Sequence, residues 1–209
     1  MTRLEGLYAI TPDWADSARL VEVTEAVLKG GCKVLQYRNK SASPTLREAQ
    51  AVALRDLTRR HDARLIVNDD LDLALAVEAD GVHLGADDGD LAAARARLAP
   101  DRLLGASCYQ RLDLARAARA AGADYVAFGS FFASPTKPLA GRADLSLLGA
   151  AGAELDCPVC AIGGISLDNA SGLVAAGAHL LAVISAVYNS ADPERASRDF
   201  MQLFEISRP

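Results

Sequence analysis

Short apolar runs alternate with amphipathic stretches along the whole chain. The runs at 6–11, 33–38, 64–68, 81–84, 103–106, 125–129, 159–162 and 179–184 are apolar almost throughout rather than alternating in polarity. That pattern belongs to parallel strands covered on both faces. Between them, apolar residues recur at helical spacing over 17–29, 45–60, 91–98, 112–121, 145–154 and 169–176, and a last amphipathic stretch at 193–205 follows the eighth run. Gly30-Gly31-Cys32-Lys33, Ala79-Asp80-Gly81, Gly122-Ala123-Asp124 and Gly177-Ala178-His179 recur where a helix gives way to a strand. Glycine there suits the left-handed turn that ends a helix. Eight such units in 209 residues, joined by short connections, predict an α/β fold, a single-domain (βα)8 barrel over 1–209. An open doubly wound sheet would carry a glycine-rich phosphate loop after its first strand, where this chain has Thr11-Pro12-Asp13-Trp14.

Composition narrows the class. Hydrophobic residues make up 51% and aromatic ones only 5%, so Ala, Leu and Val must fill the core. A net charge of −5 argues against general nucleic-acid binding. It leaves an anionic substrate open, because basic residues act locally at the strand ends. No apolar run approaches the ~18–20 residues of a membrane span, and the N-terminus runs into a strand without a signal-peptide core. A soluble cytoplasmic protein is the expectation. Cys157-Pro158-Val159-Cys160 lies along a predicted strand with no second ligand pair, so it reads as reduced core cysteines rather than a zinc or redox site.

The polar residues at the strand ends carry the chemistry. Gln36, Arg38 and Lys40 are spaced i, i+2, i+4, so an extended chain puts them on one face. Arg grips phosphate bidentately, Lys supplies a mobile charge, and an inward Gln36 needs a partner. Asn68-Asp69-Asp70 and Asp87-Asp88 follow neighbouring strands about 4.8 Å apart. A carboxylate from each could share one Mg²⁺, which takes few protein ligands and keeps phosphate oxygens. Asp70 reads first as a helix cap, while Asp69 and Asp88 fit cap or ligand equally. Gly163-Gly164 and Ile184-Ser185 follow the last two strands, where barrels often bind phosphate on backbone N–H groups. Ser134, Thr136 and Lys137 stand on a proline-flanked loop after the sixth strand, and Ser107 adds a hydroxyl after the fifth. His83 and His179 read as buried, hydrogen-bonded strand histidines, and His61 as a helix-end residue.

Taken in order, Leu7-Tyr8-Ala9-Ile10-Thr11, Gln36-Tyr37-Arg38-Asn39-Lys40, Asn68-Asp69-Asp70, Gly81-Val82-His83-Leu84-Gly85, 128–137, 161–165 and 182–186 resemble the thiamine-phosphate synthase family over nearly the whole chain. The resemblance implies that hydroxymethylpyrimidine pyrophosphate is joined to hydroxyethylthiazole phosphate, or its carboxylated form. It implies that Gln36, Arg38, Lys40 and Asn68 hold the pyrimidine pyrophosphate and that Asp69 and Asp88 bind Mg²⁺. Ser107 and Lys137 would meet the pyrophosphate. Ser134 and Thr136, with Gly164, Ile184 and Ser185, would hold the thiazole phosphate. Arg38, Lys40, Lys137 and Ser107 would act in catalysis. Ala86 and Ser134 depart from the family's commonest residues, Gln and Thr, without removing charge. The alternatives are a thiazole tautomerase, which needs no metal, and a phosphate-binding barrel without catalysis. Pairing into a homodimer is a further possibility, with no clear seam in the sequence.

Overall fold

A computed structural model describes residues 4–86, 88–133 and 141–206. Strands β1 (Gly6–Ile10), β2 (Val34–Tyr37), β3 (Arg64–Asn68), β4 (Gly81–Leu84), β5 (Leu103–Tyr109), β6 (Tyr125–Gly129), β7 (Val159–Ile162) and β8 (Leu180–Val183) close in chain order into a barrel. Every recorded pairing is parallel, and β8 closes on β1 through Gly6–Leu180 to Ala9–Val183. Around it lie α1 (Ser17–Lys29), α2 (Pro44–Arg60), α3 (Leu71–Ala76), α4 (Leu91–Arg97), α5 (Leu112–Ala120), α6 (Ser146–Glu154), α7 (Leu167–Ala175), α8 (Ser185–Tyr188) and α9 (Pro193–Ile206).

Two apolar clusters follow from the strand period. Residues facing inward, such as Tyr8, Val34, Ile66, Tyr125, Cys160 and Leu180, fill the barrel. Their neighbours along the strands, such as Leu7, Leu35, Leu65, Val126 and Val159, pack against the helices. Both faces of each strand are therefore buried, which explains the unbroken apolar runs. Thiols share this burial. It pushes Cys32 up to about 11 and Cys108 up to about 12, disfavouring the reactive thiolate. Burial raises Cys157 and Cys160 as well, so the C-x-x-C run is structural.

Several element boundaries differ from the sequence expectation, each for a local reason. β2 stops at Tyr37 rather than Arg38, because the Arg38 backbone turns to Thr11, whose Oγ1 accepts from its N–H (2.8 Å) and donates to its carbonyl (2.9 Å). β5 runs past Ala106 to Tyr109 through a register shift, and Tyr109 takes φ +52°. Leu112 starts α5 as expected, but α7 begins two residues early, at Leu167, where Asn169 Oδ1 accepts from Ser166 N–H. The left-handed residue after α1 is Gly31, and after α3 it is Glu78 rather than a glycine. Gly81 is needed for space instead, since a Cβ there would lie 2.3 Å from the Leu103 carbonyl. His179 sits just before β8, half-buried, with Nδ1 accepting from Val159 N–H, and is not in a strand core.

Candidate functional site at the C-terminal mouth of the barrel

The C-terminal ends of all eight parallel strands open on one face, so the residues after them converge there. Arg38 and Lys40 leave β2 beside Asp13, which follows β1. Asp13 accepts from Arg38 Nη1 through both oxygens (3.0 and 2.9 Å) and from Lys40 N–H (2.8 Å). This carboxylate was missed in the sequence, although its place after a strand matched that of the other candidates. Beneath it, Asn39 Nδ2 donates to Trp14 O and to Gln50 Oε1, and Tyr37 Oη donates to the same Gln50 oxygen. Arg19 stacks on Trp14 at 4.1 Å. The β1 and β2 loops are thereby tied together by the buried Asn39–Gln50 contacts, and Arg38 is held by a carboxylate of the β1 loop rather than by strand geometry alone.

Across the next strands lie the carboxylates. Lys40 Nζ meets Asp69 Oδ2 at 2.8 Å. Asp69 has φ +63°, a left-handed conformation that non-glycine residues occupy at a cost and that clusters at functional sites. Burial works to raise its carboxyl, but hydrogen bonds from Lys40, Asp88 and Asn68 outweigh it and hold it low. Asp88 is raised, first by burial and then by Asp69, while Gly85 N–H donates to its Oδ2 at 2.9 Å. The pair's proton therefore stays longest on Asp88. Neither residue is a cap. Asp70 caps α3 through Leu73 N–H, and Asp90 caps α4 through Ala93 N–H. Two carboxylates in mutual contact with one ammonium are a donor set short of positive charge, and they fit a divalent cation. Among the described residues no cluster of three or more His, Cys, Asp or Glu forms a denser metal site.

Asn68 ends β3 and lines a pocket with Lys40, Asp69 and Arg47. Arg47 was not singled out in the sequence. It stands 3.4 Å from Asp70, and its buried Nε has no partner among the described residues. Gln36 is buried and donates to Tyr8 Oη at 2.8 Å, so the partner an inward amide needs is a tyrosine of β1. Ser107, on β5, pairs with His83 Nε2 at 2.9 Å. His83 is buried as expected, and desolvation pushes it down to about 4 against a slight rise from Asp69. Its folded value lies below the ordinary 6.5, so an unfolded chain takes up a proton that the barrel refuses. Stability should fall by about 3 kcal/mol as pH drops from 6.5 to 4, beyond the losses due to other groups. Urea midpoints against pH for wild type and His83→Gln read this term as the difference in slope; equal slopes would refute it.

On the far side, Gly163 (φ +108°) and Gly164 (φ +60°) follow β7, and Ile184 and Ser185 lead into α8. A Cβ on Gly164 would lie 2.3 Å from the Ala133 carbonyl, so only glycine lets these loops approach. Asn169 Nδ2 donates to the Gly164 carbonyl (3.1 Å), which turns that carbonyl aside. Ser134, Thr136, Lys137 and Asp87 lie outside the described residues. Arg38, Lys40, Asp69, Asp88, Gly164, Ile184 and Ser185 follow strand ends at this one mouth, Asn68 ends β3, and Gln36 and Ser107 lie within β2 and β5.

The chain matches the family described as thiamine monophosphate synthase over residues 7–187. The thiamine-phosphate synthase of Methylobacillus flagellatus is 59% identical over 96% of each chain. That of an Azoarcus species is 56% identical, covering 97% of this chain and 98% of the relative. The chain belongs to the thiamine monophosphate synthase family. The solved thiamine phosphate pyrophosphorylase of Pyrococcus furiosus is 37% identical, with a TM-score of 0.86 over 98% of this chain and 97% of that one. A 3-hexulose-6-phosphate synthase superposes at a TM-score of 0.70 with 21% identity, a likeness of fold alone. Family membership makes the chain a transferase of thiamine biosynthesis. Among the described residues no helix is long and apolar enough to cross a membrane.

Proposed function

We propose that this mouth joins hydroxymethylpyrimidine pyrophosphate to hydroxyethylthiazole phosphate, releasing thiamine phosphate and pyrophosphate in the cytoplasm. The observation that carries the reading is the contact of Lys40 with Asp69, which shares a hydrogen bond with Asp88, while Arg38 is held alongside by Asp13, so that cations and carboxylates gather after β1, β2, β3 and β4. Asp69 and Asp88 would hold Mg²⁺, which supplies charge neutralisation to a bound pyrophosphate. Gln36, Asn68 and Ser107 hold the pyrimidine pyrophosphate, with Lys137 joining from its loop. Arg38 and Lys40 stabilise the negative charge that grows on the departing pyrophosphate oxygen. The bond to the methylene carbon breaks ahead of attack, and the electron-rich aminopyrimidine carries the cation. Gly164, Ile184 and Ser185 present backbone to the thiazole phosphate, with Ser134 and Thr136 beside them. The thiazole nitrogen is thereby aimed at the methylene carbon, which it meets as an already oriented nucleophile. Ser107 Oγ stands 2.9 Å from His83 Nε2, but the dissociative route uses that hydroxyl as a donor to the pyrophosphate and calls for no covalent intermediate.

Purified protein given both substrates should release pyrophosphate in step with thiamine phosphate, read as thiochrome, and only with Mg²⁺ present. Thiazole-phosphate binding without product would point to the tautomerase or to a binding barrel.

A further inference from the structure

A single file of hydrogen bonds crosses the barrel interior and ends at Ser107. Gln36 Nε2 donates to Tyr8 Oη (2.8 Å), Tyr8 Oη meets Tyr125 Oη (2.7 Å), Tyr125 Oη meets His83 Nδ1 (3.1 Å), and His83 Nε2 meets Ser107 Oγ (2.9 Å). Five strands contribute one residue each: β2, β1, β6, β4 and β5. Tyr8 and Tyr125 are each only 1% exposed, and their rings meet edge-on at 5.8 Å. The space is reserved by Gly105, where a Cβ would lie 2.2 Å from Tyr125 Cζ and 2.6 Å from His83 Nδ1.

Proton counting gives the file a direction. An amide nitrogen can only donate, so Tyr8 Oη is an acceptor toward Gln36. A buried hydroxyl proton without an acceptor is costly, and the remaining partner of Tyr8 among the described residues is Tyr125. Tyr125, having accepted, passes its own proton to His83 Nδ1. A ring nitrogen that accepts bears no proton, so the imidazole proton sits on Nε2 and points at Ser107.

We propose that this file runs one way, from Gln36 to Ser107, and that Tyr8, Tyr125 and His83 are positioning residues that leave the Ser107 proton free to donate out of the barrel. The ligand this hydroxyl suits is an anionic oxygen. The opposite polarity would send the Ser107 proton inward and turn its lone pairs toward the anion. The inference rests on the placement of the pyrimidine pyrophosphate at this mouth, and it says which proton Ser107 offers to the leaving group. Residues that never touch substrate thereby decide the hydrogen-bonding role of one that does.

The tautomer can be read without catalysis. Imidazole ¹⁵N spectra near neutral pH, assigned with His61→Gln and His179→Gln, should show His83 protonated on Nε2 alone. Tyr125→Phe or Tyr8→Phe should relax it toward a mixture. A wild-type His83 protonated on Nδ1 overturns the proposal. In kinetics, Tyr125→Phe should lower kcat about as much as Ser107→Ala, by about tenfold to a hundredfold, the loss of one hydrogen bond to an anionic oxygen. KM for the thiazole phosphate should not change. The double variant should be no slower than Ser107→Ala, and Ser107→Thr should restore the rate. Losses that multiply in the double variant overturn the positioning role. A wild type without synthase turnover would instead overturn the placement of substrate, leaving the tautomer spectrum to decide the polarity.

Discussion

Asp69→Ala is expected to lower turnover by at least about 10²–10³, the scale on which loss of one preorganised electrostatic contact acts. The effect exceeds that of an ordinary surface carboxylate because three functions meet in one side chain. Asp69 holds Lys40 Nζ at 2.8 Å, shares a hydrogen bond with Asp88, and supplies half of the carboxylate pair that fits a cation. Without it, Lys40 loses the partner that fixes its position, and Asp88 is left as a single carboxylate. The backbone complicates the test, since φ is +63° and alanine tolerates the left-handed region poorly, at roughly 1–2 kcal/mol. Asp69→Asn keeps a residue suited to that conformation and removes only the charge. Both variants should keep thiazole-phosphate affinity nearly intact by calorimetry, because the subsite proposed for it, at Gly164, Ile184 and Ser185, follows β7 and β8 rather than β3 and β4. Near-normal thiochrome formation by Asp69→Asn at limiting Mg²⁺ would remove Asp69 from the metal site.

Gly164→Ala should act on the other substrate. The added methyl would stand 2.3 Å from the Ala133 carbonyl and 2.9 Å from the Phe132 carbonyl carbon, and φ is +60°. Backbone on both sides leaves no flexible side chain to give way, so the loops after β6 and β7 must separate. The backbone N–H groups proposed to meet the thiazole phosphate would move with them. One lost hydrogen bond to a charged oxygen is worth ~1.5–3 kcal/mol, so affinity for the thiazole phosphate should fall by about tenfold to a hundredfold. Affinity for the pyrimidine pyrophosphate, measured with product formation blocked by omitting the thiazole, should hold. An unchanged thiazole-phosphate affinity would move that subsite elsewhere on the rim.

The barrel itself was legible because burial on two faces leaves a mark that survives in one dimension. Each of the eight apolar runs became a strand, and those at 64–68, 81–84, 125–129 and 159–162 coincide with β3, β4, β6 and β7 to the residue. The strand-end residues were legible for the same reason. A polar group that closes such a run stands at the C-terminal end of a strand, and in a parallel barrel all of those ends open on one face. Gln36, Arg38 and Lys40 show where the reasoning stops. The alternation argument treated them as one extended face, yet β2 ends at Tyr37, Gln36 turns inward to Tyr8, and Arg38 is held from the β1 loop by Asp13.

What the sequence determined by itself is the number and order of the units, the side of the barrel on which chemistry gathers, and the sign of the charges gathered there. Each follows from local periodicity or from residue type, neither of which needs a partner. What only the tertiary structure decided is which groups share protons. Asp13 with Arg38, Asp69 with Asp88, and the file from Gln36 through Tyr8, Tyr125 and His83 to Ser107 join residues separated by 25, 19 and up to 117 positions. A hydrogen bond depends on a few tenths of an ångström and on which atom is already committed. That information exists only once the strands have closed and their inward side chains have been forced to find one another.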